Sequence, residues 1–407
     1  VSRKFQDIRA TSGSRLETAR FASKFIVKRS GYVLRHAMLC LNARPAAAPR
    51  AALQAQPPQP APTLAIKITG GIGDAIIAAR LMRDLRDAAG HFAFDVYAND
   101  PAVIDWIFAP VAGFGKSYSV FLFDRRRPDY DAAMYVSHFV KIFSAREDAF
   151  SGAPVLRAAL QAAITFEGRI RDYVAQHPLR DNHLARFALG QKLDRMSLAY
   201  AMFGIPKGPD RLALAVNEAG LQKFNLRPGA YITVHNGFDE NMVVLGRAST
   251  KIYPGFAQVV AALRRDFPNL PVVQLGVPAT SRPIAGVDRA LIGQTTLPEA
   301  AALIKHAAWH IDVESGLVHL ARCFGTPCTV IFGPTSVAYF GYRENQNIPP
   351  SACGDCWWLT ETWMAKCPKG HAVPVCTQQD PQRIAQTVRD ALPAQSAQAA
   401  AAELLAG

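Results

Sequence analysis

The chain has 407 residues, half of them hydrophobic, and a formal net charge of +13. That length and apolar content allow a large core and predict two domains, while no uncharged apolar run approaches the roughly 18 residues of a membrane-spanning helix. The charge is concentrated at the front, where residues 1–50 hold eleven Lys/Arg against Asp7 and Glu17. The remaining body is only mildly basic, which argues against nucleic acid as the main partner.

The first 30 residues lack an apolar stretch followed by a small-residue cleavage site, so no secretory signal is read. Residues 17–43 read either as a basic amphipathic helix or as a partly ordered tail with solvated charges. Phe21, Phe25, Ile26, Val33 and Leu34 are among the apolar residues of the helix, which would suit an anionic membrane surface. Residues 45–63, rich in Pro, Ala and Gln, read as an extended linker. Folded structure begins with a strand at Leu64–Thr69, a glycine turn at Gly70–Asp74, a helix at Ala75–Ala88 and a strand at Phe92–Tyr97. Further strands are expected at Tyr118–Phe123 and Ala132–Val136, and 145–215 has a mostly helical period. A second alternation starts at the strand Tyr231–His235. A helix from Pro254 to about Phe267, the strand Pro271–Leu275 and a helix opened by the capping box Thr296–Glu299 follow. Trp309–Val313 and Cys328–Phe332 read as buried parallel strands, and the tail after Pro393 as frayed helix.

Three places carry residues able to do chemistry. Gly70–Asp74 is not a dinucleotide fingerprint, because a G-x-G-x-x-G frame set on Gly71 and Gly73 puts Ile76 where the third glycine belongs. Its glycines still allow a tight turn and the close approach of another molecule. Asp74, on the C-terminal side of the first strand, reads either as a helix N-cap or as a general base. Lys251, flanked by Ser249 and Thr250 at a strand–helix junction, is either a solvated lysine or a holder of phosphate. His235 and Asn236 end the preceding strand on the same side of the sheet. Between Trp309 and Thr335, Glu314-Ser315-Gly316 opens the helix Leu317–Phe324, which Gly325 and Pro327 end. Such a strand–turn–helix offers unpaired backbone N–H groups to an anion. Glu314 would repel a phosphate and suits sugar hydroxyls. His319, one turn into the helix, is either on the ligand side or a satisfied, partly buried histidine.

In this order the motifs resemble glycosyltransferase family 9, the heptosyltransferase-type enzymes of GT-B fold, over residues 64–392. The glycine turn ending in Asp74 is similar to the family loop whose Asp is the proposed catalytic base. Thr250-Lys251-x-Tyr253-Pro254 resembles its Lys-x-Trp-Pro segment. Ser315-Gly316-Leu317-Val318-His319-Leu320-Ala321, with Gly325-Thr326-Pro327 and Phe332-Gly333-Pro334-Thr335, resembles its most specific signature. In two respects the chain departs from the family: Glu314 stands where Asp is usual, and after Leu275-Gly276 there is no clear equivalent of the acidic residue that several members use on the donor ribose.

The resemblance implies an α/β architecture of two facing, doubly wound Rossmann-like domains with a cleft between them. The basic segment 1–44 and linker 45–63 would precede an acceptor-side domain, 64–225. A donor-binding domain, 226–393, would include the cysteine cluster 353–376, with 394–407 as a tail. It further implies inverting transfer from a nucleotide-diphosphate sugar, ADP-heptose foremost, to a lipopolysaccharide, other glycan or protein hydroxyl. Asp74 would be the base, and Gly71, Gly73, His235, Thr250, Lys251, Glu314, Ser315, Gly316, Leu317 and His319 would bind the donor. Fixed positive groups would replace a catalytic metal, and the enzyme would work in the cytoplasm or at the inner face of the inner membrane. Cys353, Cys356, Cys367 and Cys376 have the spacing C-x2-C-x10-C-x8-C. They suit a structural Zn or Fe, as relatives that modify autotransporters imply, or else remain unligated thiols or occasional disulfides. A nucleotide-sugar epimerase and a non-catalytic sugar-nucleotide-binding assembly protein are the competing readings.

Overall fold

The computed structural model describes residues 61–238 and 249–392, with scattered positions between 14 and 38. Apart from those positions, the expectations for the basic segment 1–44, most of the linker and the tail 394–407 lie outside the described residues. The chain divides into two compact units, one ending at Leu214 and taking in Trp358–Glu361, the other beginning at Ala215. The sequence reading runs the first domain on to residue 225. In the structure the helix Ala219–Lys223 packs on a helix of the second unit, with the Cβ position of Gly220 only 3.2 Å from Glu299 Cβ.

The first unit is built on strands β1 (Thr63–Lys67), β2 (Ala93–Ala98), β3 (Phe114–Ser119), β4 (Ala132–Val136) and β5 (Val140–Ala145). Their order is β3-β2-β1-β4-β5, parallel except for β5, which runs antiparallel to β4. Leu64, Ala65 and Ile66 of the central β1 have no exposed surface, as expected of a strand covered on both faces. Helix α1 (Ile72–Ala89) follows β1 and buries Ile76, Ile77, Leu81, Met82 and Leu85. Two later helices, α2 (Pro154–Arg169) and α3 (Asp181–Gly190), lie in the segment whose period predicts helix. The strand expected at Tyr118–Phe123 is displaced toward the N-terminus. Of the expected range only Tyr118 and Ser119 pair with β2, after which the chain turns so that Phe123 packs edge-on against Tyr97 at 5.5 Å. Alternation alone does not separate an aromatic strand end from an aromatic turn.

The second unit carries β6 (Ile232–His235), β7 (Val272–Leu275), β8 (Arg289–Ala290), β9 (Trp309–Val313), β10 (Cys328–Ile331) and β11 (Gln346–Ile348). The order is β11-β10-β9-β6-β7-β8, all parallel. Helices α4 (Phe256–Asp266), α5 (Leu297–Lys305) and α6 (Gly316–Phe324) connect these strands. Helix α4 starts after Gly255, two residues beyond the expected Pro254. The capping box of α5 forms as expected: Thr296 Oγ1 accepts from the Glu299 N–H at 3.3 Å, and Glu299 Oε2 accepts from the Thr296 N–H at 2.7 Å. Val259, Val260 and Leu263 of α4 close the core over Ile232, Val234, Ile311 and Val313. The C-terminal ends of β6 and β9 lie side by side, which joins His235 to the Glu314 turn.

Candidate functional site

In the first unit, Asp74 sits in the first turn of α1, three residues after Gly71, the N-cap. It is therefore not the cap residue. Its Oδ2 accepts from the Gly71 N–H at 3.2 Å, and a Cβ at Gly70 would lie 2.0 Å from the same oxygen. Gly70 is thus required for the carboxylate to fold over the turn, and Gly73 is buried in the helix behind it. Arg195 Nη2 donates to Asp74 Oδ1 at 2.6 Å, with Arg195 3% and Asp74 29% exposed. Nothing in the sequence signals Arg195, 121 residues from its partner.

His138, on the turn between β4 and β5, is partly buried. Burial first, and then the Arg195 cation, push its imidazole down to about 4. The unfolded chain takes up a proton near pH 6.5 that the folded chain refuses until about pH 4. The contribution to stability is complete above pH 6.5 and falls by about 3 kcal/mol as the pH drops to 4. Urea midpoints at pH 7, 5.5 and 4 are expected to fall in that order, and His138→Gln to flatten the trend. The chain's Asp-x-Asp pair, Asp129-Tyr130-Asp131, serves the sheet: Asp131 accepts from the Thr63 N–H at 2.8 Å and pairs with Arg146.

In the second unit, Ser315 is the N-cap of α6, its Oγ accepting from the Leu317 N–H at 3.2 Å. Beneath it lies Asp312, wholly buried on β9. Ser315 Oγ donates to Asp312 Oδ2 at 2.6 Å, His235 Nδ1–H donates to Oδ1 at 2.8 Å, and His310 Nε2–H reaches Oδ2 at 3.3 Å. Thr233 Oγ1 completes the chain at 2.9 Å from His310 Nδ1. Burial alone would raise the Asp312 carboxyl, but the facing His235 and then His310 hold it below the ordinary carboxylate range. Sequence reasoning missed Asp312 and His310, although two polar side chains on a doubly covered parallel strand are a signal that each must be satisfied internally.

Lys251 Nζ reaches Glu314 Oε2 at 2.6 Å, both side chains 14% exposed. The phosphate holder and the sugar-binding carboxylate read from the sequence are therefore joined to each other. Glu314 is long enough to span to the lysine from the end of β9. Thr250 faces inward, its hydroxyl donating to the Trp363 carbonyl at 2.9 Å. Leu317 is helical and half-buried, and contributes its N–H to the Ser315 cap. His319 is buried, with Nδ1 2.7 Å from the Tyr342 hydroxyl. Tyr342 was not anticipated. His235, Lys251, Glu314, Ser315 and Gly316 thus gather around the ends of β6 and β9, and His319 lines a small cavity with Glu314 and Ser315.

Residues 146–356 match the profile of glycosyltransferase family 9 (heptosyltransferase), just over half of the chain. The chain belongs to that family.

No curated protein matches this glycosyltransferase by sequence. Among solved structures it resembles ADP-heptose lps heptosyltransferase II of E. coli, with 16% identity and a TM-score of 0.50 over 81% of this chain and 99% of that one. The iron-containing dodecameric glycosyltransferase TibC of enterotoxigenic E. coli H10407 gives 15% identity and a TM-score of 0.55, over 83% and 77%. TibC in complex with ADP-D-beta-D-heptose gives 16% and 0.54, over the same shares. At these identities the likeness establishes the fold, the two-unit α/β GT-B arrangement of heptosyltransferases.

In this glycosyltransferase the sulfurs of Cys353, Cys356, Cys367 and Cys376 are unbridged. Burial, and then the neighbouring thiols, push Cys356 up to about 12 and Cys376 up to about 11. The donor set suits Zn or Fe in chemistry. Among the described residues, however, no three His, Cys, Asp or Glu side chains converge as ligands of one ion. Also among the described residues, no helix is long and apolar enough to cross a membrane.

Proposed function

We propose that this glycosyltransferase moves a heptosyl unit from ADP-heptose to a hydroxyl of a lipopolysaccharide, another glycan or a protein, with inversion and without a catalytic metal. The observation that carries this reading is the joined pair Lys251–Glu314 beside the Ser315-capped N-terminus of α6. Lys251 and the helix N–H groups would stabilise the charge that develops on the departing diphosphate, the role a divalent ion has elsewhere. Glu314 would accept from hydroxyls of the donor sugar. Asp74, acceptor-only and held by Arg195, would take the proton of the attacking hydroxyl.

A panel of ADP-, UDP- and GDP-sugars scored by thermal shift tests the donor. ADP-sugars are expected to raise the melting temperature most, and a larger shift with UDP- or GDP-sugars would overturn the ADP assignment. Donor-only incubation separates transfer from epimerisation: a changed free sugar nucleotide formed without any acceptor would favour the epimerase.

The Lys251–Glu314 pair makes a sharper prediction. Glu314→Gln frees Lys251, so ADP alone is expected to bind about three- to tenfold more tightly. The extra affinity that the sugar adds to ADP should shrink in the same variant. Calorimetry with ADP and ADP-heptose measures both, and weaker ADP binding would argue that Glu314 does not restrain the lysine.

A structural Zn or Fe on Cys353, Cys356, Cys367 and Cys376 belongs to the same proposal, with no step of the reaction routed through it. Iron is named for TibC. Well under one metal equivalent per chain in protein purified under reducing conditions would remove it. The basic segment 1–44 is proposed to dock on anionic lipid. Equal co-sedimentation with neutral and phosphatidylglycerol vesicles would contradict that.

A further inference from the structure

Beside Asp74 the first unit carries a chain of polar groups that the proposed reaction leaves unused. Thr69, exposed, follows β1 and directly precedes Gly70. Its Oγ1 lies 2.6 Å from the Tyr135 hydroxyl on β4, and that hydroxyl lies 2.9 Å from His177 Nε2. His177 Nδ1 in turn lies 2.9 Å from Oδ1 of Asp181, which is 1% exposed at the start of α3. The chain therefore runs from a buried carboxylate to a surface hydroxyl.

Its direction follows from donor counting. A carboxylate only accepts, so His177 carries its proton on Nδ1 and leaves Nε2 as an acceptor. Tyr135 spends its single proton on that nitrogen, and burial pushes the phenol up, so it stays protonated. The phenol oxygen can then only accept from Thr69, and the nearby Ser137 hydroxyl can use just its second lone pair. Thr69 thus points its proton inward and turns a lone pair outward. The Asp74 carboxylate, folded against Gly70, is acceptor-only as well. Thr69 Oγ1 before the glycine turn and the Asp74 carboxylate, folded back over Gly70 from the first turn of α1, are two acceptors that can take two donors of one ligand. A sugar supplies them as adjacent hydroxyls, whereas an isolated hydroxyl reaches only one of the two acceptors.

We propose that Thr69 orients the acceptor, its Oγ1 taking the O–H of a hydroxyl adjacent to the one presented to Asp74, with Tyr135, His177 and Asp181 as positioning residues. The ligand class is the vicinal diol of a sugar. The inference rests on Asp74 being the base of the proposed reaction.

The test uses saturation-transfer NMR on the full chain without donor. The probes are the methyl α-D-pyranosides of mannose, glucose and galactose and their mono-deoxy analogues. The proteins are the wild type, Thr69→Val, Thr69→Ser and Tyr135→Phe. At one ring position, loss of the hydroxyl is expected to weaken binding to wild type and Thr69→Ser about tenfold, the scale of one hydrogen bond. Thr69→Val and Tyr135→Phe should bind the complete sugar about tenfold more weakly and lose little more with that deoxy analogue. A merely structural role would weaken every analogue alike. Equal responses of wild type and Thr69→Val to all analogues, or no saturation transfer from any sugar, would overturn the proposal. ADP release from ADP-heptose is followed separately on the same proteins. Its failure in the wild type removes the donor reading, while the Thr69–hydroxyl coupling is decided by NMR.

Discussion

Asp74→Asn is expected to lower glycosyl transfer by about 10²–10⁴-fold while ADP-heptose still binds. The amide keeps the size of the side chain but has no charge with which to take up a proton. It remains close to Arg195 Nη2 and the Gly71 N–H, which now contact Oδ1 and Oδ2 at 2.6 and 3.2 Å. One of these two donors must then face the amide N–H, a local cost of about 1–2 kcal/mol that leaves the unit folded. Rates come from coupled ADP release and donor affinity from calorimetry. Transfer within tenfold of wild type would remove Asp74 as the base. A parallel loss of donor binding would mean that the residue acts on the donor and not on the acceptor.

Asp312→Ala is expected to give the largest loss of stability, about 3–5 kcal/mol for the second unit. The carboxylate is wholly buried and receives Ser315 Oγ–H, His235 Nδ1–H and His310 Nε2–H. Alanine leaves three donors without this acceptor, two of them on the buried His235 and His310, and frees the Ser315 cap on which the turn after β9 depends. Urea unfolding followed by near-ultraviolet circular dichroism measures the effect, and a loss below about 1 kcal/mol would show the network to be dispensable. The Asp312 pKa lies below the ordinary carboxylate range, so the stabilisation is present above about pH 4 and is lost as the pH falls through the lowered value. The variant should therefore lose the part of acid unfolding that lies below pH 4. This window is separate from that of His138, which spans pH 6.5 to 4.

Much of the fold was legible because the signals were local. β4 and β9 have the ranges read from their apolar runs, and the Thr296–Glu299 capping box forms with both of its hydrogen bonds. β5, β8 and β11 were not read. β5 is an antiparallel edge strand with five of its six residues exposed or partly so, and β8 has only two residues, both exposed. Such strands carry no continuous apolar run, so pairing with a neighbour decides them. The boundary between units also lay beyond the sequence, because Ala219–Lys223 is assigned by its packing on α5 and not by its own composition.

The sequence by itself determined where the backbone must turn and which residues end the strands. Gly70 has no room for a Cβ beneath Asp74, Ser315 can cap α6, and Gly325 takes the left-handed conformation that ends it at φ 74°. These follow from chain stereochemistry within a few residues. Only the tertiary structure decided what those residues face. Asp74 meets Arg195 from 121 residues away, Lys251 meets Glu314 across 63, and Thr69 is tied through Tyr135 and His177 to Asp181. Hydrogen bonds and ion pairs act over about 3 Å, and nothing in the spacing of residues along a chain records which groups folding brings within that reach.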